Sequence, residues 1–157
     1  MLESWIITEV RGWLGVPFHH QGRSRAGCDC IGLILGVAHA LQLPSRQGGA
    51  LAEYDRVDYG QLPEDYALQA LLERHLYALP DAKARSGDVV LFRFHRHPQH
   101  VGLMSDYPGG EQGLIHCYAG IGRVTEHHLN ATWQRRIAGV YRFAGSTNRE
   151  SGILNHA

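Results

Sequence analysis

The segment from residue 30 to residue 43 constrains the fold most strongly, because it is apolar nearly all round a helix. A helix without a polar face has no side to turn toward water and belongs in the centre of a domain. Asp29 directly precedes the segment, and aspartate is a favoured N-cap because its carboxylate accepts hydrogen bonds from free backbone N–H groups. Pro44 ends it. We therefore predict a buried central helix that begins at Cys30.

Helical patterns flank this segment, and strand patterns follow them. Residues 2–14 and 64–79 carry apolar side chains at helical spacing, whereas segments 18–27 and 45–63 are predicted as loops. The second half of the chain contains runs typical of strands, at 89–94, 100–104, 114–118, 124–129 and 140–143. Helices first and antiparallel strands second predict an α+β domain, with N-terminal helices packed on a sheet of about five strands.

Length and charge restrict the class of protein. A chain of 157 residues fits one domain, which we assign to residues 1–143, with a poorly ordered tail over 144–157. Lys plus Arg equals Asp plus Glu at 15 each, so a nucleic-acid partner is not expected. We find neither an apolar stretch long enough for membrane insertion nor the apolar core of a signal peptide. We therefore expect synthesis in the cytoplasm without a signal peptide.

Cys30 is the candidate nucleophile. A thiol at the first turn of a helix faces unpaired N–H groups and the positive end of the dipole, which lower its pKa. Gly32 leaves room for a close approach to the start of the helix. The alternative is that Cys30 only packs, because free cysteine is among the most buried residue types.

His100 and His116 fall on neighbouring strands, sixteen residues apart. In an antiparallel pair with an even register sum, both side chains face the same side. Two adjacent imidazoles form a relay in which one takes the thiol proton and the other orients it. Cys117, the next residue, then faces the opposite side, toward the core.

A zinc site is the main chemical alternative. Cys28 and Cys30, with His95 and His97 or with His127 and His128, supply suitable ligand types, but their spacing fits no common zinc signature. We therefore expect no metal and no cofactor. We interpret these four histidines as solvated, and Arg135 and Arg136 as a docking patch or simply a solvated face.

Four motifs follow one another along the chain: the turn at Cys30, Gly-Asp-Val-Val-Leu-Phe at 87–92, His-Val-Gly-Leu-Met at 100–104 and Leu-Ile-His at 114–116. In this order they resemble the motifs of the NlpC-type cell-wall cysteine peptidases, which are papain-like α+β domains that cut peptidoglycan stem peptides. The resemblance implies that Cys30 is the nucleophile, His100 its base and His116 the third, orienting residue. It implies cleavage of an amide to or near diaminopimelate.

One position departs from the family. Most members have a tyrosine where this chain has Phe18, so any hydroxyl contact to the nucleophile must come from elsewhere, such as His20 or Gln21. We expect His20, Gln21 and Asp29 to bind substrate or the oxyanion.

Residues 13–22 and 133–143 resemble a narrower group, the peptidases encoded among phage and gene-transfer-agent tail genes. This implies tail-hub or baseplate proteins as partners and a place at the tip of a virion or tail-like particle, acting on the cell wall in the periplasm. One rival hypothesis is a structural tail-hub component with a peptidase-like fold and little or no catalysis. Another is a related amide-cleaving enzyme with a different substrate.

Overall fold

The central helix begins at the predicted residue. In the computed structural model, which describes residues 1–54, 67–80, 84–94 and 97–145, helix α2 spans Cys30–Ala40. The Asp29 carboxylate accepts a hydrogen bond from the Gly32 N–H at 2.7 Å, as an N-cap does. The helix buries side chains on all its faces and packs against α1 and the sheet. The predicted central helix and its start are confirmed, but it ends at Ala40 rather than at Pro44.

Three further helices and eight strands complete the described part of the chain. The helices are α1 (Leu2–Arg11), α3 (Ala67–His75) and α4 (Ala131–Gln134). The strands are β1 (Arg23–Ser24), β2 (Gly27–Cys28), β3 (Tyr77–Ala78), β4 (Val89–Phe94), β5 (His97–Tyr107), β6 (Glu111–Tyr118), β7 (Arg123–His128) and β8 (Ile137–Arg142). A short 3-10 helix spans Leu51–Tyr54.

Six of the strands form an antiparallel sheet that is buried on both faces. Its order is β3-β8-β4-β5-β6-β7, and β1 pairs separately with β2. Alternate strand residues face opposite sides. The helix-facing side contributes to the main core, with Val89, Leu91, Val101, Leu103, Ile115 and Cys117. The other side forms a smaller cluster of Val90, Phe92, Met104, Leu114, Leu129 and Trp133.

The α+β class is confirmed, while the strand count and several boundaries differ from the sequence prediction. The large sheet has six strands rather than about five, because the short strand β3 pairs with β8 where a helix was predicted to continue. Strands β1 and β2 lie within the predicted loop 18–27. Strand β5 begins at His97, three residues before the predicted strand run 100–104, and carries a bulge opposite β4.

Helix α1 is shorter than predicted. It ends at Arg11, and Trp5 and Leu14 are exposed, whereas Ile6, Ile7 and Val10 are buried. Residues 55–63 of the predicted loop and residues 64–66 of the predicted helix lie outside the described residues.

The C-terminal end of the described chain packs on the domain. Ala144, placed in the tail by the sequence, is fully buried. Residues 146–157 of the predicted tail lie outside the described residues. None of the helices in the described ranges is long and apolar enough to cross a membrane.

Candidate active site

The first turn of α2 meets the sheet where β5 and β6 stop pairing. Their paired register ends at Leu103 opposite Ile115, although both strands continue. Beyond that pair, the backbone N–H of Val101 hydrogen-bonds the sulfur of Cys30. The start of α2 therefore lies beside the strand segment that carries His100.

Burial sets the protonation state of Cys30. It raises the pKa of the thiol to about 12, and backbone hydrogen bonds from Val101 and Ile31 oppose that rise only in part. The lowered pKa that we predicted from the helix N-terminus is therefore wrong for this site. Desolvation beside the sheet outweighs the helix-end effect, so the resting group is a neutral thiol that needs a base.

Asp29 organises the loop in front of the nucleophile turn. Besides capping α2, its carboxylate accepts the backbone N–H of Gln21 at 2.9 Å and pairs with Arg23 at 3.0 Å. Gln21 has a φ of 61°, a left-handed conformation that side chains other than glycine rarely adopt. The buried carboxylate thus holds both the helix start and the loop that carries His20 and Gln21.

Gly32 provides the predicted close approach. A Cβ at this position would overlap the carbonyl oxygen of Gly22, which lies directly against the first turn of α2. The absence of a side chain lets the loop close over the helix start beside Cys30.

His100 and His116 share one face, as the even separation predicted. Met104 on β5 pairs with Leu114 on β6, so the residue numbers of paired positions add up to an even number. The His100 Nε2 lies 2.7 Å from the His116 Nδ1. Both rings are buried. Gly102, on β5, has no side chain and so leaves space for the Cβ of His116 on β6.

A third imidazole continues this chain. The His116 Nε2 lies 2.8 Å from the His127 Nε2, and the His127 Nδ1 lies 2.9 Å from the carbonyl oxygen of His128. We call His100, His116 and His127 the imidazole chain. His127 is half-buried rather than solvated, which corrects its interpretation from sequence. The signal was available: Val124 faces the core opposite Cys117, so residues 125 and 127 fall on the face of His116.

Only one set of neutral tautomers satisfies every hydrogen bond in the imidazole chain. A carbonyl oxygen can only accept, so His127 must carry its proton on Nδ1 and accept at Nε2. His116 then donates from Nε2 and accepts at Nδ1, and His100 donates from Nε2. This leaves the Nδ1 of His100 with a free lone pair.

Burial keeps two of these imidazoles neutral. Burial, and secondarily the charge of Arg136, lowers the pKa of His100 to about 3. Burial also lowers the pKa of His116 to about 2, with further contributions from His100 and His127. Trp133 packs against all three rings, with centroids 4.8 to 5.9 Å apart.

Five of the predicted site residues line one cleft of about 490 Å³. They are His20, Gln21, Asp29, Cys30 and His100. His116 lies behind His100, where it is fully buried. Phe18, Phe94 and Tyr118 also line the cleft. Phe94 and Tyr118 were missed because nothing local to their strands marks them.

The two cysteines of the zinc hypothesis lie in different surroundings. Cys28 is fully buried, and its backbone carbonyl accepts a hydrogen bond from the Cys117 thiol at 3.2 Å. Cys30 lines the cleft instead. Within the described ranges, no three His, Cys, Asp or Glu side chains are grouped to hold a metal, and His95 lies outside those ranges. As predicted, Cys117 faces the core.

The sequence matches the model of the NlpC/P60 family over residues 15–142. No curated protein matches the chain.

Two solved structures share the fold at low sequence identity. An NlpC/P60 family protein from Bacillus cereus ATCC 10987 has a TM-score of 0.62 and 21% identity, over 90% of this chain and 40% of that protein. The NlpC/p60 domain of the peptidoglycan hydrolase SagA has a TM-score of 0.56 and 16% identity, over 88% of this chain and 97% of that domain. The chain thus spans less than half of the Bacillus cereus protein and nearly the whole SagA domain.

Proposed function

The chain belongs to the NlpC/P60 family, and we propose that it is a cysteine peptidase that cleaves amide bonds in peptidoglycan stem peptides. Members of this family are typically peptidoglycan-cleaving cysteine peptidases, and one structural neighbour is a peptidoglycan hydrolase domain. The observation that carries the proposal is the shared cleft of Cys30 and His100, with His116 hydrogen-bonded behind His100.

The first step is proton transfer from the Cys30 thiol to the Nδ1 of His100. That nitrogen has the free lone pair, because the Nε2 of His100 donates to His116. As the proton leaves, the sulfur attacks the substrate carbonyl and forms a tetrahedral intermediate. The high pKa of Cys30 and the low pKa of His100 favour the neutral pair at rest, so transfer and attack are coupled.

The second step expels the amine. The backbone N–H of Cys30, at the positive end of α2, stabilises the oxyanion. The imidazolium of His100 returns its proton to the departing amine, which leaves an acyl-enzyme thioester. Water, deprotonated by His100, then hydrolyses the thioester and regenerates the thiol. Asp29 serves as a positioning residue, because its carboxylate is engaged by Gly32, Gln21 and Arg23.

The deciding experiment incubates purified sacculi and defined muropeptides with the wild type and with Cys30→Ala, and analyses the products by mass spectrometry. We expect new amine and carboxyl termini only with the wild type, and their masses identify the bond, which we place at or near diaminopimelate. Cys28→Ala is the matched control, because it removes a thiol two residues away that is buried outside the cleft. We expect that variant to keep its turnover.

Two results would contradict the peptidase proposal. One is equal product from Cys30→Ala and wild type. The other is no product from folded wild type on any muropeptide, which would favour the rival hypothesis of a structural component without catalysis. Turnover of other amides alone would instead favour a related amide-cleaving enzyme.

We also propose that a phage-like tail hub or baseplate delivers the enzyme to the cell wall. The support is the resemblance of residues 13–22 and 133–143 to peptidases encoded among tail genes. Mass spectrometry of purified tail-like particles from the producing cell tests this proposal. The protein should co-purify with hub and baseplate proteins at a fixed stoichiometry, and its absence from intact particles would refute the delivery proposal alone.

A further inference from the structure

A groove rich in arginine opens from the cleft. It has a volume of about 490 Å³ and is lined by Arg93, Phe94, Tyr118, Arg135 and Arg136. We call it the arginine groove. Phe94 and Tyr118 line both the groove and the cleft that holds His100, so a bound molecule can extend from one into the other.

Aromatic rings hold one guanidinium of the groove in place. The guanidinium carbon of Arg136 lies 4.9 Å from the ring centroid of Phe94 and 4.8 Å from that of Trp133. Its backbone carbonyl accepts the N–H of Arg93 at 2.7 Å, which ties the ends of β4 and β8 together. A guanidinium packed on ring faces keeps its N–H edges available to an anion.

The arginines of the groove have no carboxylate partner within the described residues. Elsewhere in the described ranges five arginines pair with acidic side chains, namely Arg11, Arg23, Arg25, Arg85 and Arg142. Arg46, Arg74 and Arg123 form no such pair with any described residue, but none of them lines the groove. The whole chain has a formal net charge of zero, so three uncompensated arginines at one place concentrate positive charge there. The charge of Arg136 also reaches His100, whose pKa it lowers in addition to burial.

We infer that the arginine groove binds carboxylates on the amine-side portion of the substrate, which makes the enzyme selective for acidic peptides. This inference rests on the proposed peptidase function. His100 delivers a proton to the departing amine, so the groove beside His100 accommodates the part of the substrate that leaves with that amine. A bound carboxylate also offsets the Arg136 charge, which otherwise opposes formation of the His100 imidazolium.

The test measures binding and turnover separately. Isothermal titration of the Cys30→Ala variant uses the tripeptide L-Ala-γ-D-Glu-meso-diaminopimelate and an analogue whose diaminopimelate carboxylates are carboxamides. We expect the acidic peptide to bind about ten-fold more tightly than the amide. In the same background, Arg93→Gln and Arg135→Gln should each weaken binding of the acidic peptide by about three- to five-fold and leave binding of the amide unchanged.

Two further variants separate charge from packing. Arg136→Gln should lose selectivity for the acidic peptide, and Arg136→Lys should recover part of it, because lysine restores the charge. Arg74→Gln removes an exposed arginine on α3 that does not line the groove, and it should change neither affinity.

The outcomes distinguish the groove from the peptidase proposal. Three results would overturn the arginine groove as a carboxylate site. They are equal affinity for the two peptides, no binding of either peptide, and a loss of affinity in Arg74→Gln as large as in the groove variants. Selective binding of the acidic peptide without any turnover by the wild type would overturn the peptidase proposal and support carboxylate binding by the groove. Turnover of both peptides at equal kcat/KM would overturn carboxylate binding by the groove and support the peptidase proposal.

Discussion

At the scale of single residues, His127 decides which nitrogen of His100 is free. Its Nδ1 is fixed by the carbonyl oxygen of His128, and this constraint passes through His116 to His100. We predict that long-range ¹H–¹⁵N spectra at pH 8 show protons on the Nδ1 of His127 and the Nε2 of both His116 and His100. A proton on the Nδ1 of His100 would contradict this assignment, because that nitrogen would then be unable to act as a base.

Variants at the same position separate tautomer control from packing. His127→Leu removes the acceptor for His116, whereas His127→Gln keeps a carbonyl oxygen there. Mutation of an outer partner that orients a metal-bound imidazole typically lowers activity by about 10- to 100-fold, and we expect a comparable fall in kcat of about ten-fold in the leucine variant. The glutamine variant should keep most of the wild-type kcat. His128→Gln is the control, because its exposed side chain lies outside the imidazole chain and its backbone carbonyl stays. Equal losses in all three variants would contradict tautomer control.

At the scale of elements, the junction of loop and helix at Asp29 stabilises the site. The carboxylate caps α2, holds the Gln21 N–H and pairs with Arg23 while it is 7% exposed. Removing a cap and charge-assisted hydrogen bonds together typically lowers stability by about 2–3 kcal/mol. We predict that loss for Asp29→Ala in urea unfolding, and a smaller loss for Asp29→Asn, which keeps one acceptor oxygen.

A surface ion pair provides the comparison for Asp29. Asp106 also pairs with an arginine, Arg11, but its side chain is 69% exposed, and exposed pairs contribute about 0–1 kcal/mol. Asp106→Ala should therefore change the free energy of unfolding far less than Asp29→Ala does. Similar losses in the two variants would refute the role assigned to the buried carboxylate.

Features governed by local pattern could be predicted from the sequence, and features governed by distant pairing could not. The start of α2 depends on Asp29 and the apolar run beside it. The common face of His100 and His116 follows from their even separation only when β5 and β6 pair with an even register sum, as they do. The short strand β3 exists because β8 pairs with it. The pKa of Cys30 rises because burial in the folded domain disfavours the thiolate. His127 falls between these cases, since its face follows from pairing β6 with β7.

At the scale of the whole molecule, the sheet is buried on both faces and the imidazoles occupy the side away from α2. Aromatic rings surround His100 there, with Phe92, Phe94, Tyr118 and Trp133 between 5.3 and 5.9 Å from it. Such a shell excludes water from the neutral rings and opposes their protonation. The same burial that keeps these rings unprotonated therefore makes folding sensitive to acid.

The stability of the fold should fall steeply below about pH 6.5. Unfolded histidines bind protons near that pH, whereas burial lowers the pKa of His100 to about 3 and of His116 to about 2 in the folded state. The unfolded state then binds more protons, so stability is present above pH 6.5 and is lost as pH falls, by about 1.4 kcal/mol per pH unit for each histidine.

Urea unfolding between pH 7 and pH 4.5 measures this slope directly. The two histidines together predict a loss of about 5 kcal/mol by pH 4.5, comparable to the whole stability of many domains. Burial lowers the pKa of His75 as well, which adds to the loss in the same direction. His116→Gln should reduce the slope by about a third to a half, because one of the buried imidazoles is gone, whereas His39→Gln, at an exposed position, should leave it unchanged. A free energy of unfolding that stayed constant from pH 7 to pH 4.5 would mean that both rings accept protons in the folded state, and the neutral imidazole chain would then not exist.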